Sequence, residues 1–239
     1  MAEKIIYEKK VVKRHGVIEL LEHWILAISG LLLLFTGICQ MPIAKRYMIT
    51  EIPGLRWTGN YKIDLFVHMV AGVVFTTVVV FHIFYHGFGG DKGLLPKKGD
   101  IKESIKVLLS FFGDKEEPAF HKYLPEQRLV YIFLGVISLV LIVTGIIKVY
   151  KNLEGVFLSP GLVFWTTWLH TIFTLLFLLF FIAHVGVLIF ENNRPMVRGI
   201  ITGVVKLEYA IKRHPHWIRE LEEKIGKRIH HTEMEKDQG

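Results

Sequence analysis

Four long apolar segments alternate with polar and charged segments along the chain. The longest, 161–190, exceeds the roughly 20 apolar residues that a helix needs to cross the core of a bilayer. We therefore predict an all-α fold, an integral membrane four-helix bundle within residues 1–194. The predicted spanning helices are 17–40, 62–86, 127–149 and 161–190.

The polar segments predict two further helical regions. Residues 100–112 carry apolar residues at helical spacing and are expected to lie along the membrane interface. Residues 195–239 are expected to form a charged helical tail on the aqueous side. This tail is predicted to be amphipathic and interfacial, with an interruption at Pro215.

The lysines and arginines are unevenly divided between the segments that connect the spans. The N-terminal arm, the loop 87–128 and the tail hold 23 of the 29, whereas the loop 41–63 and the turn 147–162 hold six. The positive-inside rule then predicts that both termini are cytoplasmic. The net charge of +7 therefore indicates membrane topology rather than nucleic-acid binding.

The chain has a single cysteine, Cys39. One thiol cannot hold an iron–sulfur cluster, attach a haem through a Cys-x-x-Cys-His motif or form an internal disulfide. Any redox cofactor of this chain is therefore expected to be held by histidine.

Five of the six histidines in the predicted spans lie at two matched depths. His170 and His184 are fourteen residues apart, which puts both imidazoles on nearly the same helix face, roughly 21 Å apart along the axis. His68 shares the outer level with His170, and the inner level holds His23 and His82 beside His184. Ionisable side chains at membrane depth are costly and usually functional.

Imidazoles at two matched levels predict two b-type haems, each held by two histidines from facing helices. A lone histidine could equally bond a backbone carbonyl of a neighbouring helix, but five at two depths favour haem. Zinc prefers three or four ligands, and the outer level offers only two histidines. The outer pair is thus His68 with His170, and the inner pair is His184 with either His23 or His82.

Four sequence features are similar to those of one known family of membrane cytochromes. They are Arg14 followed by His23-Trp24, His68 followed by Gly72, the His-x13-His of the fourth span, and the tail motif Arg-His-Pro-His-Trp-Ile-Arg-Glu at 213–220. On these features the chain resembles the cytochrome b (gamma) subunit of membrane-bound formate dehydrogenases, which is related to the cytochrome b subunits of nickel–iron hydrogenases. The resemblance covers essentially the whole chain, and the tail motif favours the formate enzymes.

The resemblance implies a particular set of haem ligands. Carried over, it assigns His23 with His184 to the inner haem and His68 with His170 to the outer one. His82 departs from the family pattern and stays an alternative inner ligand, or a partner of a quinone or a haem propionate. Arginines could pair with the propionates as charge-assisted forks. The candidates are Arg14, Arg128 and Arg194.

The resemblance also implies that a quinone accepts electrons near the inner haem. Reduction of a quinone takes two protons, so the pocket needs titratable or hydrogen-bonding side chains open to the cytoplasm. The candidates are His82, His86, Tyr123, Glu126 and Gln127. The family element Lys-Tyr-Asn-x-x-Gln has Leu124 at its asparagine position here, so one quinone contact of the family is missing.

The chain has no nucleotide loop, no cysteine cluster and no site for substrate oxidation. The expected function is electron transfer from an iron–sulfur partner, with a catalytic subunit attached, across the membrane to a quinone. The same role in a hydrogenase or another oxidoreductase is an alternative. A transporter or a structural anchor without haem is an alternative of a different class.

Overall fold

The computed structural model describes residues 3–89, 92–110 and 120–237. The α-helices in these ranges are α1 (Val17–Cys39), α2 (Pro42–Arg46), α3 (Tyr61–Gly89), α4 (Asp100–Ser110), α5 (Pro125–Tyr150), α6 (Pro160–Gly186), α7 (Pro195–Thr202), α8 (Leu207–Arg213) and α9 (Pro215–Asp237). The strands are β1 (Lys4–Ile6), β2 (Val11–Lys13) and β3 (Val204–Lys206). Short 3₁₀ turns follow α2, α3 and α6.

Four of these helices are long and apolar enough to cross a membrane. They are α1, α3, α5 and α6, the last extended by a 3₁₀ turn to Ile189. The predicted all-α membrane bundle is confirmed, and the ends of the spans differ from those expected by at most three residues. Large apolar side chains on α6, such as Phe164, Trp165 and Ile182, are more than half exposed. Lipid is the solvent in which such a surface is stable.

Prolines mark where several helices begin. α5, α6, α7 and α9 each start with proline, which has no N–H to leave unpaired in the first turn and has a backbone angle suited to a helix. The interruption predicted at Pro215 is confirmed, because α8 ends at Arg213 and α9 begins at Pro215. The helix predicted at 100–112 is present as α4, and residues 111–112 of that prediction lie outside the described residues. Its position at the membrane interface stays a prediction.

The chain forms two compact units. The spanning unit comprises the described residues of Leu21–Gly90 and Phe133–Gly186. The second unit, here called the sheet unit, comprises those of Met1–Leu20, Asp91–Ile132 and Val187–Gly239. The sequence-based division at residue 194 stays a prediction.

The sheet unit contains a small antiparallel sheet that the sequence analysis did not predict. Its strand order is β1-β2-β3, and Val12 pairs with Ile5 on one side and with Val205 on the other. Each strand has only three residues, too few for the alternation of apolar and polar residues that reveals a strand. The expectation of a purely helical tail after residue 194 was therefore wrong at β3. The core of the unit consists of Ile5, Val12, Val205, Ala210, Trp217, Ile218 and Leu221.

A glycine turn connects α7 to this sheet. Gly203 has φ +78°, and an added Cβ would lie 2.8 Å from the carbonyl oxygen of His15. The N–H groups of Arg14 and His15 donate hydrogen bonds to the Gly203 carbonyl at 2.8 and 3.1 Å. Both the left-handed backbone and the close approach require glycine here.

Candidate functional site

His23 on α1 and His184 on α6 face each other in the spanning unit. Their ring centroids are 6.4 Å apart at an interplanar angle of 46°. The Nδ1 atom of His23 is buried and has no hydrogen-bond partner among the described residues. Metal–imidazole bonds of about 2.0–2.1 Å on either side of one ion place the two ring centres about 6.3 Å apart. The observed separation therefore fits a single metal ion held between the two rings.

A threonine on α1 fixes the orientation and tautomer of His68 on α3. The Thr36 hydroxyl donates to the Leu32 carbonyl at 2.7 Å, so its oxygen is left to accept a hydrogen bond. His68 Nδ1 lies 2.8 Å from that oxygen. Nδ1 therefore carries the proton, and Nε2 keeps the lone pair that a metal ion needs.

The same arrangement recurs at His170 on α6. The Thr144 hydroxyl donates to the Val140 carbonyl at 2.6 Å, and His170 Nδ1 lies 2.8 Å from the threonine oxygen. A glycine follows each threonine, and a Cβ added at Gly37 or Gly145 would contact the Cε1 atom of the adjacent imidazole at 3.5 or 3.6 Å. His68 and His170 thus each keep the lone pair of Nε2, the atom that can bind a metal ion. Metal-ligating histidines typically have such a hydrogen bond at the other nitrogen.

Sequence reasoning missed these threonines. The sequence feature that could have indicated them is a Thr-Gly dipeptide, which occurs once in the first span, at Thr36, and once in the third, at Thr144. Both lie toward the predicted outer ends of their spans. Lys148, one turn beyond Thr144, interacts electrostatically with both outer imidazoles.

His82 and His86 lie on α3 in a cluster with Glu22 of α1. His82 Nδ1 is 3.3 Å and His86 Nε2 is 2.9 Å from the same oxygen of Glu22. The structure thus brings the two quinone candidates on α3 together around a buried carboxylate that sequence reasoning did not single out. Its signal was an acidic residue next to His23 inside an apolar segment.

The other quinone candidates belong to the sheet unit. Tyr123 lines a cavity of about 540 Å³ together with His121 and Trp217. The Gln127 side-chain oxygen accepts a hydrogen bond from the Leu124 backbone N–H at 3.2 Å, which caps the start of α5. Glu126 is partly buried in the first turn of the same helix.

Arg14 is almost fully buried in the sheet unit. It donates a hydrogen bond to the Lys122 carbonyl, and its guanidinium carbon lies 5.5 Å from the Tyr123 ring centroid and 5.2 Å from that of Trp217. Burial lowers the pKa of the guanidinium, as expected where water no longer solvates a cation. Its Nε and Nη1 atoms have no hydrogen-bond partner among the described residues, so they remain available to an anion.

The other two arginines proposed for haem propionates have partners within the sheet unit. Arg194 is exposed, donates to the carbonyls of Leu188 and Ile189, and lies 3.6 Å from Glu191. Arg128 forms a buried two-bond fork with Asp100, at 2.8 and 2.5 Å. Arg128 thus joins α4 to α5 and has its charge already neutralised.

The tail motif at 213–220 supplies buried contacts of the sheet unit. Trp217 is 1% exposed and donates its indole N–H to Glu3 at 2.9 Å. His214 is fully buried, and its Nδ1 donates to the His121 carbonyl at 2.6 Å. Burial lowers the pKa of His214 to about 3, so the ring is neutral at physiological pH. The motif therefore holds the unit together.

The four spanning helices carry imidazole groups at two levels. This arrangement is typical of a membrane redox protein whose metal ions are held by histidine. The family model of prokaryotic cytochrome b561 matches residues 14–203, so the chain belongs to that family. It is a membrane cytochrome b that takes part in electron transfer and holds haem b. The imidazole pair 6.4 Å apart and the two histidines whose Nδ1 atoms contact threonine hydroxyls fit that group.

Two relatives share a name that agrees with the predicted resemblance. The cytochrome b556 subunit of formate dehydrogenase from Haemophilus influenzae is 25% identical over 209 residues, which cover 87% of this chain and 82% of that protein. The cytochrome b556(Fdn) subunit of the nitrate-inducible formate dehydrogenase from Escherichia coli strain K12 is 21% identical over 229 residues, 92% of this chain and 96% of that protein. The resemblance to formate dehydrogenase cytochrome b subunits is thereby confirmed.

Proposed function

We propose that this chain is a dihaem membrane subunit that carries electrons from an iron–sulfur partner, as in a formate dehydrogenase, across the membrane to a quinone. The observation that supports it best is the His23–His184 pair, whose ring centroids lie 6.4 Å apart. On one helix, α6, the two levels are roughly 21 Å apart along the axis. When bound, haem b supplies reversible one-electron redox chemistry at each level.

The inner haem is assigned to His23 and His184. Their rings lie at the separation that a bis-imidazole site requires. The ring of His82, the alternative inner ligand, is paired instead with His86 of its own helix, with ring centroids 4.4 Å apart. These contacts favour His23 over His82.

The outer haem is assigned to His68 and His170. Thr36 and Thr144 hold the Nδ1–H groups of these imidazoles, which orients both Nε2 atoms as metal donors and raises their basicity.

Arg14 stays a prediction as a partner of a haem propionate, and two of its nitrogens have no hydrogen-bond partner among the described residues. Arg194 stays a prediction in that role.

The quinone is assigned to the cytoplasmic side of the membrane, with both termini of the chain in the cytoplasm. The sequence-based candidates for its site are His82, His86, Tyr123, Glu126 and Gln127. His82 and His86 already share a carboxylate, and such a group of proton-accepting atoms suits the uptake of two protons per quinone. An electron that moves inward across the bilayer then contributes to the membrane potential, at about 2.3 kcal/mol per charge per 100 mV.

The haem assignment is tested by the ratio of haem to protein in a pyridine haemochrome assay of the purified chain. Two haems per chain are expected. His68→Ala and His170→Ala should each remove the outer haem, whereas His82→Ala should leave both in place. A colourless preparation, or the loss of the inner haem in His82→Ala with retention in His23→Ala, would overturn the assignment.

The partner assignment rests on the names of the relatives, both cytochrome subunits of formate dehydrogenases. Affinity purification of the chain from native membranes, followed by mass spectrometry, tests it. A formate-oxidising subunit and an iron–sulfur subunit should co-purify with the chain. Recovery of hydrogenase subunits instead would assign the same electron-transfer role to another complex.

A further inference from the structure

The described part of the spanning unit contains a second group of metal-ligating side chains, apart from the paired haem histidines. His82 and His86 are four residues apart, one turn of α3, so their imidazoles leave the same face of the helix. Glu22 of α1 lies opposite both. The His-x3-His spacing on a helix, with a carboxylate facing it, is a chelating arrangement that zinc sites use.

The distances in this cluster suit a small metal ion. The Glu22 oxygen that faces the histidines is 3.3 Å from His82 Nδ1 and 2.9 Å from His86 Nε2, and one ligand atom from each of the three side chains lies within 4.8 Å of the others. Zinc bonds of about 2.0–2.2 Å in a tetrahedron place neighbouring donor atoms about 3.3–3.5 Å apart. A movement of a few tenths of an ångström at His86 brings its distance from the Glu22 oxygen into that range.

The carboxylate is the buried member of the group. Glu22 is 5% exposed, and its Oε1 atom is buried without a hydrogen-bond partner among the described residues. A buried carboxylate that faces imidazoles and retains an unpaired oxygen is costly unless a cation joins it. The side chains of His82 and His86 are 24% and 19% exposed, which leaves a path by which an ion can enter.

We propose that Glu22, His82 and His86 bind one divalent transition-metal cation of the zinc class, distinct from the haem iron. Two imidazoles and a carboxylate, with a fourth position open to water, form a donor set typical of zinc. The proposal rests on the proposed function in one respect, the assignment of the inner haem to His23, under which His82 is not a haem ligand. A cation bound here engages His82 and His86, so zinc competes with their use by a quinone.

The test measures zinc binding by the haem-loaded full chain in detergent. The protein is stripped with a chelator, equilibrated with zinc chloride, and analysed for bound zinc by mass spectrometry. We expect saturation at one zinc per chain, and Glu22→Gln and His86→Gln should each weaken binding by at least about tenfold. The matched control is His121→Gln, which removes the exposed His121–Glu220 pair (2.7 Å) and should leave zinc binding unchanged.

Two further measurements keep the outcomes separate. The haem spectrum should be unchanged in Glu22→Gln and His86→Gln, which shows that these variants are folded. X-ray absorption at the zinc edge of the unsubstituted protein should show two imidazole ligands, a result that does not depend on any variant.

The proposal is overturned by fully haem-loaded protein that binds no zinc, by a spectrum without imidazole, or by loss of zinc in His121→Gln. Absence of haem would instead overturn the proposed function. The zinc titration would then still show whether Glu22, His82 and His86 bind zinc.

Discussion

Phe75 on α3 and Phe177 on α6 meet edge to face, with ring centroids 6.4 Å apart at 84°. Each phenylalanine is seven residues from both histidines of its own helix, which amounts to two turns or about 10.5 Å in either direction. The two rings therefore form an aromatic layer halfway between the two histidine levels. Gly30 of α1 is packed against this layer, because a Cβ there would lie 3.1 Å from Phe177 and 3.5 Å from Phe75.

Gly30→Ala is expected to disturb this layer. The added methyl group must displace the Phe177 ring by a few tenths of an ångström, and overpacking of this kind costs about 1–3 kcal/mol. Gly135→Ala on α5 is the matched control, since a Cβ at that position has no atom within 4 Å and brings the same gain in helix propensity. Thermal unfolding, monitored through the release of haem, should show a lower midpoint temperature for Gly30→Ala than for the control. Equal midpoints would contradict the close packing.

Under the proposed dihaem assignment, Thr36→Val should weaken the outer haem site. The substitution removes the acceptor of the His68 Nδ1–H group, and an unsatisfied buried N–H costs about 1–3 kcal/mol. The less basic imidazole also stabilises the oxidised iron less, so the midpoint potential of the outer haem should rise. A redox titration monitored by absorption measures both potentials. Thr36→Ser keeps the hydroxyl and should restore the original potential of the outer haem. A change in the potential of the inner haem alone would contradict the hydrogen bond between Thr36 and His68.

Lys148→Met should lower the potential of the outer haem. The Lys148 ammonium interacts electrostatically with both His68 and His170, and a nearby positive charge favours the reduced, more negative state of a redox centre. Its removal should shift the midpoint downward by some tens of millivolts, as measured by the same titration. Lys151→Met is the matched control and should shift it less. An upward shift in Lys148→Met would contradict the assignment of the outer level.

The fork between Asp100 and Arg128 should make the sheet unit sensitive to acid. The hydrogen bonds from Arg128 hold the pKa of the Asp100 carboxyl below its ordinary value of about 3.9. A lowered folded-state pKa contributes stability that is fully present above that ordinary value and is lost as the pH falls through the folded-state pKa.

Asp100→Asn should therefore destabilise the protein at neutral pH by about 3 kcal/mol, because it leaves a buried guanidinium without its counter-ion. Limited proteolysis of the sheet unit across a pH series measures the effect, and the difference from the unsubstituted protein should shrink under acid conditions. Glu103→Gln, an exposed position on the same helix, serves as the control. A difference that does not depend on pH would refute the ionic role of Asp100.

The sequence by itself determined the features that depend on position along one helix. Runs of apolar residues determined the four spans, and the fourteen-residue spacing of His170 and His184 determined that histidines recur at two levels. Proline at 215 also marked the break between α8 and α9 correctly. These features follow from the rise and turn of a single helix, and they need no knowledge of its neighbours.

Only the tertiary structure decided which side chains meet between helices. It placed His23 beside His184, brought His82 to Glu22, and gave His68 a threonine as hydrogen-bond partner. Such contacts depend on the rotation of each helix about its own axis and on its neighbours, which packing fixes and hydropathy does not. The strand β3 was missed for a related reason, since it is stabilised by pairing with residues some 190 positions away, such as Val205 with Val12.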